Sequence, residues 1–171
     1  MEIVVNDTNI LIDLCNTGLL QYCKNLDVAF RTVDLVINEI TVDKQKTAVQ
    51  GIIDSGILTV CQLSGEQLLT VFEKMNQFDG ICNLSVVDVS VMIYAKENNC
   101  KLLTGDKTLR NRAILENVDV SGILFLTDMM TEQGIVPKQI MIDAYSKLLE
   151  SNTRTPRKLI QQRIDELKSE L

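Results

Sequence analysis

Along the chain, short runs of Val, Ile and Leu alternate with stretches in which apolar side chains return every three or four positions. Runs of the first kind suit strands covered on both faces, and stretches of the second kind suit one-sided helices. Their alternation predicts βαβ units around a mostly parallel sheet. "EIVVN" is the first such strand, followed by "VAFRTV", "GILTVCQL", "KLLTGD" and "SGILFLTD". Between them, Ile10, Leu11, Leu14, Leu19 and Leu20 suit a helix interrupted near Gly18. Asp34 is placed to cap one helical stretch, "LVINEITVDKQKTAVQ", ending near Gly51. Ser64 is placed to cap a helix that carries Leu68, Leu69, Phe72 and Met75 at the helical period and ends near Asp79-Gly80. The helix "SVVDVSVMIYAKENN" feeds "KLLTGD", and a short helix after "SGILFLTD" closes at Gly134. The expected architecture is a three-layer α/β/α fold with a central, mostly parallel sheet.

Beyond it, Pro137 opens "PKQIMIDAYSKLLE", where Ile140, Met141, Ala144, Tyr145, Leu148 and Leu149 form one stripe. After Thr155-Pro156 a last helix places Leu159, Ile160, Ile164, Leu167 and Leu171 on one face. The chain is therefore read as an α/β domain over residues 1–136 and a helical extension, 137–171, packed on the same domain. Residues 152–171 carry five basic and three acidic side chains.

Composition narrows the chemistry. A length of 171 residues, 46% of them hydrophobic and 23% charged, suits one folded domain. There is no histidine, which removes Ser-His-Asp and Cys-His nucleophile systems and His-ligated zinc; any metal would have oxygen ligands. Five scattered cysteines with no CxxC pair read as free thiols in a reducing compartment. No apolar run approaches the roughly 18 residues of a membrane span, and the start has no basic flank, so the expected location is the cytoplasm, away from membranes. The net charge of −6 argues against a broad basic field for nucleic acid, but not against a site where clustered acids hold a cation.

In open α/β sheets ligands bind beyond the carboxyl ends of the strands, so polar residues there are the ones to collect. Asp7 ends the first strand, and Asp106 ends "KLLTGD" after Thr104 and Gly105. Glu39 and Asp88 sit on otherwise apolar helical stretches, where a buried carboxylate is costly unless paired or bound to a cation. Taken singly each has an ordinary reading. Asp7 and Asp106 are good helix caps, Asp88 completes a capping box with Ser85, and Glu39 suits a solvated helix face. Taken together, four acids from four elements could ring one or two hard divalent cations, with Thr8, Asn9 and Thr104 as neutral oxygen donors.

These residues resemble the PIN domain, a family of metal-dependent ribonucleases that includes the VapC-like toxins of toxin–antitoxin pairs. The resemblance runs through "VVNDTNILIDL", "INEI", "LSVVDVSVMIYAKENNCKLLTGDKTLRN" and "GILFLTDMMTEQGIV", over about residues 1–136. It implies hydrolysis of RNA phosphodiester bonds at an acidic Mg²⁺ or Mn²⁺ site, with Asp7, Glu39, Asp88 and Asp106 as both metal ligands and catalytic acids. Thr8, Asn9 and Thr104 would support them. It also implies products with 5′-phosphate and 3′-hydroxyl ends, an antitoxin as protein partner, and association into a homodimer. Thr108 stands where many members have a further acid. Without metal, carboxylates so gathered should repel one another and raise at least one pKa. Two other readings remain: a non-catalytic PIN-like interaction module, and a phosphatase of the haloacid-dehalogenase type. The latter wants a second aspartate where Asn9 stands.

Overall fold

The computed structural model describes residues 1–151 and 154–171. Five parallel strands, β1 (Glu2–Asn6), β2 (Val28–Val33), β3 (Leu58–Cys61), β4 (Lys101–Leu103) and β5 (Val120–Ser121), form one sheet in the order β3-β2-β1-β4-β5. The chain winds outward from β1 to β3, then crosses back to β4 and winds the other way. The switch point therefore lies between β1 and β4. Val4 and Val5 of the central strand are wholly buried, which is why the first strand reads as a continuous apolar run.

Helix α1 (Thr8–Thr17) follows β1 and ends at Gly18, whose left-handed φ of 79° turns the chain into a short 3₁₀ segment, Leu20–Asn25. After β2 come α2 (Asp34–Glu39) and α3 (Asp43–Asp54); after β3 come α4 (Gly65–Phe78) and α5 (Val86–Glu97). Helix α6 (Lys107–Leu115) joins β4 to β5, and α7 (Ile123–Glu132), α8 (Lys138–Ser151) and α9 (Arg157–Ser169) complete the described elements. Helices α1, α3 and α8 pack together, as do α4, α5 and α6, giving a helical layer on each side of the sheet. Every residue of α5 from Val89 to Ala95 is buried, so this helix is apolar all round rather than striped. The anticipated three-layer architecture is what the structure shows.

Local expectations differ in three places. The stretch after Asp34 is two helices: the β-branched run Ile40–Val42 leaves helical geometry, with Ile40 at ψ 104° and its side chain buried as an anchor. Asp34 lies inside α2, with Val33 at the cap position. The strand expected at "SGILFLTD" shrinks to Val120–Ser121. Ile123, Leu126 and Met130 fall at helical spacing and point into the core, so packing turns this apolar run into α7. Finally, α4 buries Val71 and Phe78, while Leu69 and Phe72 remain 65% and 55% exposed.

Helix α8 lies against α1 and α7, and α9 against α8. Arg163 on α9 grips Asp128 on α7 through two bonds of 2.5 and 2.6 Å, a fork geometry that fixes the angle of the last helix. Glu116 just after α6 accepts from Lys74 of α4, Lys96 of α5 and Arg112 of α6, tying one layer together. Burial opposes its ionisation, but these three cations outweigh it and hold its carboxyl down to about 2. Among the described residues all five cysteines are free, and no helix is long and apolar enough to cross a membrane.

Candidate active site

The register places Asn6 beside Leu103, and the Asp7 amide continues the ladder to the Leu103 carbonyl at 3.0 Å. Asp7 and Thr104 are thus neighbours by strand pairing, each the first residue past its strand. The Thr104 hydroxyl donates to Asp7 Oδ2 at 2.7 Å, and Asn9 Nδ2 donates to the same oxygen at 2.6 Å. Asp7 Oδ1 accepts from the Thr8 amide at 2.7 Å, which makes Asp7 the cap of α1 as well. Asn9 is held in turn, its Oδ1 accepting from the Gly105 amide at 2.7 Å. A Cβ at Gly105 would stand 3.0 Å from that oxygen, so only glycine fits without displacing Asn9.

The other acids arrive from different elements. Glu39, the exposed last residue of α2, is reached by the Thr8 hydroxyl at 2.5 Å. Asp88 is half-buried in the first turn of α5 and accepts from the Ser85 amide at 2.7 Å, as the capping-box reading anticipates. Asp106 caps α6 through the Leu109 amide at 2.8 Å, and its own amide donates to Thr104 at 3.0 Å. All four line one open cleft of ≈ 440 Å³, together with Thr8, Asn9, Ser85 and Arg154. The cleft lies at the switch point, where doubly wound sheets hold their ligands. Thr104 is not part of the lining and meets the cleft through its bond to Asp7.

Asp7 is 3% exposed, and its pKa is raised from 3.8 to about 6. Burial is the main cause, and the charge of Asp88 adds to it; the bonds from Thr104, Thr8 and Asn9 pull the other way. The rise expected for gathered carboxylates is present, but desolvation rather than mutual repulsion leads it. The donor set, all oxygen and mostly carboxylate, suits a hard divalent cation. Each carboxylate is turned onto a hydrogen-bond donor of its own neighbourhood, and among the described residues no group of three or more stands close enough to hold an ion as it is.

Sequence reasoning missed Arg154. It lies between α8 and α9, and its Cβ is 3.9 Å from where a side chain on Gly105 would begin. The only signal was the basic excess of residues 152–171, which says nothing about where that segment folds back.

Fold and site together describe a doubly wound α/β domain with an acidic cleft at the switch point of its sheet. The chain belongs to the PIN domain family, whose model matches residues 3–169. No curated protein matches it. Among solved structures, a chain of VapBC2 from Rickettsia felis, bound to a DNA fragment from their promoter, superposes with a TM-score of 0.52 at 15% identity. That match covers 70% of this chain and 98% of the other. FitAcB from Neisseria gonorrhoeae matches with a TM-score of 0.46 at 12% identity, covering 68% and 95%. The Rickettsia likeness is one of fold.

Proposed function

We propose that this chain is a divalent-metal-dependent endoribonuclease that acts as the toxin of a toxin–antitoxin pair in the cytoplasm. The observation that carries the reading is the convergence of Asp7, Glu39, Asp88 and Asp106, from four elements, on one cleft at the switch point of the sheet. These four would hold Mg²⁺ or Mn²⁺, which would supply charge to neutralise the phosphate and to acidify an attacking water. The chain's own residues do the positioning. Thr104 and Asn9 fix the orientation of Asp7, and Thr8 aims Glu39. Burial of Asp7 leaves a carboxylate whose charge is poorly solvated without a cation beside it. Residues 1–136 would form the nuclease domain and 137–171 an extension packed on it.

RNA as substrate, an antitoxin as inhibitor and a second copy as partner follow from the family resemblance. Support for a paired partner also comes from the Rickettsia fold neighbour, which is a VapBC2 protein. The test is Mn²⁺-dependent cleavage of single-stranded RNA by wild type, Asp7→Asn and Asp106→Asn. Cleavage by the wild type with loss in both variants is expected; activity surviving in the variants refutes the site. The spacing of the acids favours a second reading, a non-catalytic module. Titration calorimetry separates the two, since that reading requires no Mg²⁺ or Mn²⁺ binding at millimolar concentration.

A further inference from the structure

Beside the acidic cleft lies a second hollow of ≈ 430 Å³, against Thr104 and Gly105 at the end of β4. Much of its wall is apolar, with Ile123, Leu124, Pro156 and Leu159, and the charged groups on it are mostly of the opposite sign. Lys107 and Arg110 enter from α6 and Arg154 from the joint between α8 and α9, and Arg154 lines both hollows. Asp13, buried and engaged, is the carboxylate that shares the wall.

Arg110 is preset. Its guanidinium donates to the Thr104 carbonyl at 3.2 Å, and it lies 3.1 Å from where a Cβ at Gly122 would stand, so the glycine leaves it room. Lys107 is exposed. Neither has a carboxylate partner among the described residues, although Lys74, Lys96, Lys101, Arg112, Lys138 and Arg163 all do. Arg154, which is engaged within the fold, stands with them in the same lining.

We propose that Lys107, Arg110 and Arg154 form a phosphate-binding subsite that holds the backbone of single-stranded RNA beside the acidic cleft. This rests on the nuclease reading and adds to it where the strand lies. Four carboxylates repel a polyanion, so a strand that enters the cleft needs attraction from groups flanking it, which arginine forks and a lysine provide. A strand crossing from one hollow to the other passes Arg154, which places that side chain in the substrate path.

The experiment measures binding of a fluorescein-labelled single-stranded RNA to the full chain across a range of salt, in an Asp7→Asn background that prevents cleavage. Lys107→Ala and Arg154→Ala should each weaken binding at least about tenfold, the effect of one charge-assisted hydrogen bond. Each should also lower the slope of log affinity on log salt by about 0.7, as for one phosphate contact on a single strand. Arg154→Lys should recover much of the loss. Lys24→Ala, near the amino ends of the strands, should bind as the background does. Unchanged affinity and slope in Lys107→Ala and Arg154→Ala, or equal loss in Lys24→Ala, overturns the subsite. If Arg154→Ala proves unfolded by melting, Lys107→Ala decides alone. Wild-type cleavage of the same RNA is followed in parallel: its absence sinks the nuclease reading, whereas cleavage with indifferent Lys107 and Arg154 variants sinks the subsite only.

Discussion

Replacing Asp7 by asparagine should abolish cleavage yet change stability in a direction set by pH. The carboxyl titrates near 6 in the folded chain and near 3.8 when unfolded, so folding favours its protonated form. Stability tied to this group is fully present below pH 3.8 and is lost as pH rises through 6. At ~1.36 kcal/mol per pH unit, the rise corresponds to about 3 kcal/mol, of which about 2 kcal/mol disappears between pH 4 and pH 7. The substituted side chain carries no charge to bury, but its amide would face the Asn9 amide that now donates to Oδ2 at 2.6 Å, which costs about 1–2 kcal/mol at every pH. The clean readout is the difference between wild type and variant. Urea unfolding in chelator at pH 4 and pH 7 should show that difference moving by about 2 kcal/mol in favour of the variant at the higher pH. Millimolar Mn²⁺ at pH 7 should then stabilise the wild type and leave Asp7→Asn where it was. A difference that stays flat from pH 4 to pH 7 refutes the burial of an unpaired charge at this position.

Glu116→Gln should destabilise the fold by about 2–3 kcal/mol at pH 7, because three cations lose their shared anion. The wild-type carboxyl is held near 2, so its contribution is full above its ordinary 4.5 and fades as pH falls toward 2; thermal melts of the two proteins should converge on acidification. Gly105→Ala drives a methyl to 3.0 Å from Asn9 Oδ1 and should cost about 1–3 kcal/mol together with much of the RNA cleavage. On α4, Phe78→Ala should cost about 3–5 kcal/mol and Phe72→Ser less than about 0.5 kcal/mol, measured by urea unfolding; equal costs would contradict the observed facing of that helix.

Much of this molecule can be read from its pattern of apolar positions. Runs such as "EIVVN" and "VAFRTV" are strands because parallel sheets bury both faces, and Ser64 and Ser85 cap their helices through local chemistry that needs no tertiary context. The four acids were legible because each follows, begins or ends an element, and sheet topology alone carries Asp7 and Asp106 to one edge. What failed depended on distant packing. "ILFLTD" has no intrinsic marker that separates a buried strand from a buried helix, and contact with the core decided it. On α4, period alone offered Leu69 and Phe72, whereas contact with α5 selected Val71 and Phe78. Arg154 was beyond reach for the same reason: its position depends on how α8 returns across α1.

The bond from Thr104 to Asp7 spans 97 residues. During synthesis β1 emerges first, yet it is the middle strand and must wait for β4 before its acid gains that partner. A chain cut short before α5 therefore has Asp7 and Glu39 but lacks Asp88, Thr104 and Asp106. Assembly order makes the cleft a late product of translation, so on the nuclease reading a half-made chain poses no threat to the message that encodes it.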